Sequence, residues 1–107
     1  MFRSHTCGEL RLSHVGSTVT LSGWVAKVRL MGSMAFVDLR DRYGMTQLSF
    51  NEAYSAEMLA KAGELGREYV IQVTGSVAER ESKNAGLTTG DIELVVESLV
   101  VLNQAKT

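Results

Sequence analysis

The spacing of apolar residues changes its period twice along this chain, and this change restricts the folds that the chain can adopt. Five segments alternate apolar and polar residues as β-strands do, and they cover residues 18–30, 34–40, 45–50, 68–80 and 91–102. Between the third and fourth segments, apolar residues recur at helical spacing at Tyr54, Met58, Ala62 and Leu65. The sequence therefore predicts three strands, one helix over 51–65 and two further strands.

The first of these segments contains a break in its alternation near Gly23. Apolar residues occupy odd-numbered positions before the glycine, and after it the apolar positions pass to Trp24, Ala26 and Val28. A change of phase at a glycine predicts a bulge or a sharp bend. A bent first strand can pair in two sheets, and Trp24 is then expected in the core or half-buried against it.

Capping residues, a glycine and a turn sequence mark the predicted ends of several helices and strands. Thr6 and Glu9 have the spacing of a capping box, which predicts a short helical turn. Asn51 or Ser55 can cap the helix, and Gly66 stands where a left-handed residue ends a helix. Residues 41–44 predict a tight hairpin turn. We expect the neighbouring charged residues to form ion pairs that fix the hairpin: Asp38, Arg40, Asp41 and Arg42.

Five strands with a helix between the third and fourth are the plan of the OB-fold, a small all-β Greek-key barrel. An SH3-like barrel is the alternative, but the helix in the middle of the chain argues against it. The length of 107 residues predicts a single domain over residues 1–107.

Composition excludes several functional classes. The net charge of −1 argues against a sequence-blind nucleic-acid binder, although a small site that reads a few bases remains compatible with it. Cys7 is the single cysteine, and together with His5 and His14 it lacks the spacing of a metal site. We expect no cofactor, no catalytic residues and no membrane segment, and the absence of a visible signal peptide predicts a cytoplasmic location.

An aromatic residue on a polar strand face marks the candidate site. In the second strand Ala35, Val37 and Leu39 share one face, so Phe36 lies on the other face beside charged residues. A lone surface phenylalanine is common in proteins and needs no function. Beside basic residues on a sheet, however, an aromatic ring is how proteins stack unpaired nucleic-acid bases.

Other polar residues share this face by parity or lie near its end. Gln47, in the third strand, carries an amide that can pair with the N3–H and O4 of uracil. Lys27 and Arg29 share the polar face of the first strand and can hold phosphate. Glu93, at the start of the fifth strand, can accept hydrogen bonds from guanine N1–H and N2–H₂.

Two further candidates lie at the end of the fourth strand and after it. Arg80 can reach phosphate, and Asn84 can read a base edge from its loop. Each candidate also has a simpler explanation: a solvated side chain, a salt bridge or, for Asn84, turn chemistry beside glycine.

The whole chain resembles the N-terminal anticodon-binding domain of bacterial aspartyl-tRNA synthetases. The matching stretches are residues 6–12, 19–25, 36–44, 46–47, 71–75 and 89–93. The run Phe-Val-Asp-Leu-Arg-Asp at 36–41 is also shared by lysyl and asparaginyl relatives. The order of the segments is kept throughout.

The resemblance implies an OB-fold that grips the anticodon loop of tRNA-Asp. The family's stacking aromatic matches Phe36, its uracil-reading glutamine matches Gln47 and its guanine-reading glutamate matches Glu93. The family's basic pair matches Lys27 and Arg29, where many members have arginine at the first position. Asn84 lies where the family often contacts the last anticodon base.

The resemblance also sets limits on what this chain is expected to do. After Arg29 the sequence Leu30-Met31-Gly32-Ser33 departs from the family's usual Asp-Leu-Gly-Gly. The family's catalytic domain is absent from the sequence, so we expect no enzymatic activity from this domain, which we expect to be a monomer. The parent synthetase is expected to dimerise through that missing domain.

An OB-fold scaffold, engineered or free-standing, that binds a protein is the alternative function. In that case Leu30, Met31 and Met34 would form its apolar contact patch. A free-standing enzyme is disfavoured because the chain has none of the usual catalytic arrangements.

Overall fold

The computed structural model describes residues 3–66, 68–81, 83–87 and 89–103, and their strands close into a barrel. The strands are β1 Thr18–Met31, β2 Met34–Asp41, β3 Gly44–Asn51, β4 Val70–Glu79 and β5 Ile92–Asn103. A 3₁₀ turn, Leu12–His14, precedes β1, and helix α1, Ala56–Gly63, lies between β3 and β4.

The order of strands around the barrel is β1-β2-β3-β5-β4. β1 pairs antiparallel with β4 through its first half and with β2 through its second half. β3 and β5 run parallel, and this pairing closes the barrel. The predicted five-stranded OB-fold with a helix between the third and fourth strands is confirmed.

The bend in β1 differs from the prediction. The register shift lies between Val25 and Lys27, not at Gly23. Val25 is fully buried, whereas Trp24, predicted in or near the core, is 39% exposed. Gly23 serves a different purpose, because a Cβ atom there would lie 2.3 Å from the carbonyl oxygen of Arg40. The glycine lets β1 pass close to the backbone of β2, and the alternation of β1 continues through it.

Helix α1 is shorter than the predicted span. The Ser55 hydroxyl accepts a hydrogen bond from the Met58 amide at 3.2 Å, so Ser55 is the N-cap. Tyr54 therefore precedes the helix, and it is 72% exposed although its spacing placed it on the apolar face. Gly66 lacks the predicted left-handed conformation. The helix ends at Gly63, its C-cap residue Glu64 is right-handed, and Glu68 has a positive φ of 69°.

The β2–β3 turn is held by a carboxylate. Asp41 Oδ1 accepts hydrogen bonds from the amides of Tyr43 (2.8 Å) and Gly44 (3.1 Å). Its Oδ2 accepts one from the Cys7 amide (2.8 Å), which ties the N-terminal segment to the hairpin. Backbone amides therefore fix the turn. Among the described residues, no ion pair joins the hairpin charges to one another as expected: Asp41 lies 4.0 Å from Arg3, and Asp38 pairs with Arg29 at 3.1 Å. Burial, reinforced by the nearby Asp41 charge, raises the pKa of the Cys7 thiol well above its usual value.

Candidate nucleic-acid interface

The outward face of β1, β2, β3 and β5 carries the predicted site. Strand pairing places Lys27 opposite Asp38, Asp38 opposite Gln47, and Gln47 opposite Glu93. The same pairing places Phe36 between Arg29 and Ser49 in the adjacent row. Five of the seven predicted site residues therefore lie on one continuous surface: Lys27, Arg29, Phe36, Gln47 and Glu93.

Phe36 lies on the outside of the barrel, as its parity predicted. Its neighbours Ala35 and Val37 are fully buried, whereas Phe36 is half-buried. Within the described residues, the partly buried hydrophobic side chains that pack against the core are Val28, Leu59, Leu65, Tyr69 and Leu99. Phe36 is therefore an aromatic ring that the core does not use, beside the arginine of the neighbouring strand.

A chain of hydrogen bonds joins four of the outward side chains across the sheet. Arg29 donates to both carboxylate oxygens of Asp38, at 3.1 and 3.2 Å. Arg29 Nη2 also donates to Gln47 Oε1 at 2.9 Å, and Gln47 Nε2 donates to Glu93 Oε1 at 2.9 Å. We call Arg29, Asp38, Gln47 and Glu93 the polar row.

The polar row is partly shielded from solvent. Gln47 is only 7% exposed, which contradicts its interpretation as a solvated surface glutamine. The Arg29 and Asp38 side chains are 34% and 15% exposed, respectively. A charged hydrogen bond in such a setting is shorter and stronger than one between neutral groups in water. The row therefore holds the Gln47 amide in one place on the outer surface.

Arg80 and Asn84 are not members of the polar row. Arg80 directly follows β4, and since Ala78 lies opposite Glu93, the alternation places Arg80 on the same side of the sheet as Glu93. Its Nε atom is buried and has no hydrogen-bond partner within the described residues. Asn84 Oδ1 accepts a hydrogen bond from the Gly86 amide at 2.9 Å, which is the turn chemistry considered above. In the part of the chain that the structure describes, no hydrogen bond joins either residue to the row.

Sequence reasoning missed two members of this surface, Asp38 and Ser49. Asp38 was assigned to the hairpin charges, but it pairs with Arg29 of the neighbouring strand. Ser49 lies beside Phe36 and is only 4% exposed. The same parity that placed Phe36 outside places both of these residues there, so the signal was present in the alternation.

The structure gives no sign of a metal site or a membrane span in the residues that it describes. No group of three potential ligand side chains comes together in residues 3–66, 68–81, 83–87 and 89–103. Within the same residues, no helix has both the length and the apolar character needed to cross a membrane.

Residues 19–102 match the tRNA anti-codon family, which is described as an OB-fold nucleic acid binding domain. The match covers most of the chain and includes residues of all five strands of the barrel. The chain belongs to this family of nucleic acid binding domains.

Aspartate–tRNA ligases of bacteria are similar to this chain over its full length. The chain is 64% identical over its full length to the aspartate–tRNA ligase of Phocaeicola vulgatus and 63% identical to that of Bacteroides thetaiotaomicron. It spans 18% of the length of each of these ligases and corresponds to their N-terminal part. The predicted resemblance to bacterial aspartyl-tRNA synthetases is confirmed.

Solved structures share the fold. An aspartyl-tRNA synthetase from Entamoeba histolytica superposes with a TM-score of 0.84 at 28% identity, and the match covers 94% of this chain and 21% of that one. An OBody bound to hen egg-white lysozyme superposes with a TM-score of 0.87 at 26% identity, and the match covers 98% of this chain and 97% of the other. The second comparison relates this chain to a protein of matching length.

Proposed function

We propose that this chain binds the anticodon loop of tRNA-Asp as the anticodon-recognition module of an aspartate–tRNA ligase. Phe36 stacks on the central uracil, and Gln47 pairs with its N3–H and O4. Glu93 accepts hydrogen bonds from the N1–H and N2–H₂ of the guanine at the first anticodon position. The family and its ligase relatives support the assignment at the level of the domain.

One observation carries the proposal: the polar row lies beside an outward aromatic ring on the same sheet. Gln47 makes one hydrogen bond through each of its polar atoms, to Arg29 and to Glu93. A side-chain amide has two acceptor positions and two donor hydrogens, so each end retains one position for a base. The amide can therefore pair with uracil without leaving the row.

The remaining predicted residues supply phosphate contacts and one further base contact. Lys27 is exposed at the edge of this face and Arg29 lies within it, so both can approach the RNA backbone. We assign a further phosphate contact to Arg80, which directly follows the fourth strand. We assign Asn84 to the last anticodon base, through its side-chain NH₂ group.

The test compares stem-loops that differ in one base. The chain is titrated with the anticodon stem-loop of tRNA-Asp and with the same RNA carrying cytidine in place of the central uridine. Cytosine exchanges the donor and acceptor that Gln47 reads, so we expect the uridine loop to bind more tightly by about 1–3 kcal/mol, the magnitude of a good bidentate base contact. Gln47→Ala should abolish most of that difference. Equal binding of both loops by the unmodified chain would reject the proposal.

We further propose that the synthetase to which this domain belongs ligates aspartate to tRNA, and that it does so in the cytoplasm as a dimer. This domain alone forms no aspartyl-adenylate. The ligase relatives continue far beyond the part that this chain matches. ATP–pyrophosphate exchange with the purified chain should stay at background. Exchange above background that follows the protein through purification would reject this part of the proposal.

The scaffold function is the second candidate, and a specific observation favours it. An OBody that binds lysozyme has the same fold and matching length. Leu30 and Met31 at the β1–β2 turn are 64% and 60% exposed, as an apolar contact patch requires. A chain that binds a protein through this patch and shows no preference between the two stem-loops would support this function instead.

A further inference from the structure

Asp38 occupies a position at which a carboxylate disfavours the binding of RNA. It faces outward from β2 on the candidate interface, where its charge repels phosphate. Both of its oxygens nevertheless accept hydrogen bonds from the guanidinium of Arg29, which is attached to the neighbouring strand. Asp38 lies directly opposite Lys27 and Gln47, so the contact with Arg29 is diagonal across the pair of strands.

The diagonal contact fixes the direction of the Arg29 side chain. A guanidinium group is planar, and a two-pronged bond to a carboxylate sets both its position and its plane. With that plane fixed, the Nη2 atom that bonds Asp38 Oδ1 also donates to Gln47 Oε1 at 2.9 Å. The carboxylate therefore determines where a donor meets the glutamine.

This donor in turn determines which way the Gln47 amide is turned. Arg29 presents hydrogens and Glu93 presents an oxygen, so the amide oxygen faces β1 and the amide nitrogen faces β5. The reversed amide would place donor against donor at Arg29 and acceptor against acceptor at Glu93. An amide held in one orientation distinguishes uracil from cytosine, whereas an amide that can rotate by about 180° can pair with either base.

We propose that Asp38 is a positioning residue for base reading: through Arg29 it fixes the orientation in which Gln47 meets the central anticodon base. The proposal rests on the function proposed above. Asp38 itself touches no base. Its carboxylate also competes with phosphate for Arg29, so this charge lowers general affinity for RNA while it raises the preference for uridine.

Asp38→Asn tests the proposal with the uridine and cytidine stem-loops. The variant removes the charge and one of the two acceptors. We expect the preference for uridine to fall by about fivefold or more, the lower end of the range for one bidentate base contact. We also expect a steeper salt dependence, because phosphate then no longer competes with a carboxylate for Arg29. If Asp38 contributed only to folding, an Asp38→Asn chain that stays folded would keep both the preference for uridine and the salt dependence of the unmodified chain.

Three further variants show whether the effect passes through Arg29 and whether it is confined to the interface. In an Arg29→Ala background, Asp38→Asn should cause no further loss of the preference for uridine. Glu57→Gln breaks an ion pair with Lys61 on α1, away from the interface, and should leave the preference and the salt dependence unchanged. Arg29→Lys keeps the charge but loses the fork, so it should also lower the preference, and it supplies a second route should Asp38→Asn fail to fold.

The outcomes separate this inference from the proposed function. If the unmodified chain prefers uridine and Asp38→Asn or Arg29→Lys keeps the full preference while folded, Asp38 does not position Gln47. An equal loss from Asp38→Asn with and without Arg29 overturns the route through Arg29. If the unmodified chain shows no preference, the proposed function fails, and this inference fails with it.

Discussion

Two carboxylates of β2, three residues apart, perform different tasks. Asp38 lies on the outer face and accepts hydrogen bonds from the Arg29 side chain, whereas Asp41 lies at the end of the strand and accepts them from backbone amides. Asp38 contacts one neighbouring strand. Asp41 joins the N-terminal segment to the β2–β3 turn, and its side chain is only 8% exposed.

The difference shows which contacts determine stability and which shape a surface. A buried backbone amide that loses its acceptor remains unpaired, because the backbone has no other conformation available there. A half-exposed side chain such as Arg29 can turn to water when its partner is removed. We therefore expect substitution of Asp41 to change folding and substitution on the outer face to change recognition.

The largest effect is expected for Asp41→Ala. The change removes the acceptor of three amides, those of Cys7, Tyr43 and Gly44. We expect the free energy of unfolding to fall by about 2 kcal/mol or more. Leaving the buried Cys7 amide unpaired costs about 1–3 kcal/mol, and the part-buried amides of Tyr43 and Gly44 each lose a hydrogen bond worth about 0.5–1.5 kcal/mol. Urea unfolding measures the change. The alkylation rate of Cys7, which is buried in the intact barrel, should rise with it.

Arg42→Ala is the matched control, because Arg42 lies in the same turn and is exposed. Its effect should stay within about 0.5 kcal/mol, as for most surface substitutions. If Asp41→Ala is as mild as this control, Asp41 does not hold the barrel end.

Local alternation predicted most of the fold, and it placed Phe36 outside correctly. It failed at Gly23 and Tyr54, where the deciding facts are not local. The glycine is required by the backbone of Arg40, which is distant in sequence. Tyr54 fits the helical period, but Ser55 begins the helix after it.

The candidate site depended even more on tertiary pairing. Gln47 and Glu93 are 46 residues apart, and they meet because β3 and β5 pair in parallel. Strand periodicity does not reveal that pairing. The resemblance to synthetases predicted both residues as base readers, but only the barrel closure brings their side chains together.

A second effect is expected for Phe36→Ala, on the outer face alone. Loss of a stacking ring should weaken binding of the anticodon stem-loop by about 1–3 kcal/mol and leave the free energy of unfolding nearly unchanged. Fluorescence titration and urea unfolding on the same preparation measure both quantities. Val37→Ala is the contrasting variant, because Val37 is fully buried in the same strand and should mainly lose stability. A Phe36→Ala chain that unfolds easily would show that this ring belongs to the core.

A third effect concerns discrimination. Glu93→Ala should reduce the preference for guanine at the first anticodon position by about 1–3 kcal/mol, borrowing the magnitude of a bidentate base contact. The measurement compares stem-loops with guanosine or adenosine at that position, at one salt concentration. Adenine lacks both hydrogens that a carboxylate accepts. An equal loss of affinity for both loops would mean that Glu93 serves only to hold Gln47.

The smallest effect is expected for Lys27→Ala, and it separates attraction from reading. Lys27 is exposed at the edge of the interface, beyond the hydrogen bonds of the polar row. As a phosphate contact it releases counterions when RNA binds, so its removal should reduce the slope of log affinity against log salt by about 0.7 for single-stranded RNA. Affinity should fall alike for all stem-loops, with the preference for uridine unchanged, because an ammonium group carries no base-specific pattern of donors and acceptors. Titrations over a series of salt concentrations give the slope. A change in base preference without a change in slope would place Lys27 among the base readers and remove the distinction between the edge of this face and its polar row.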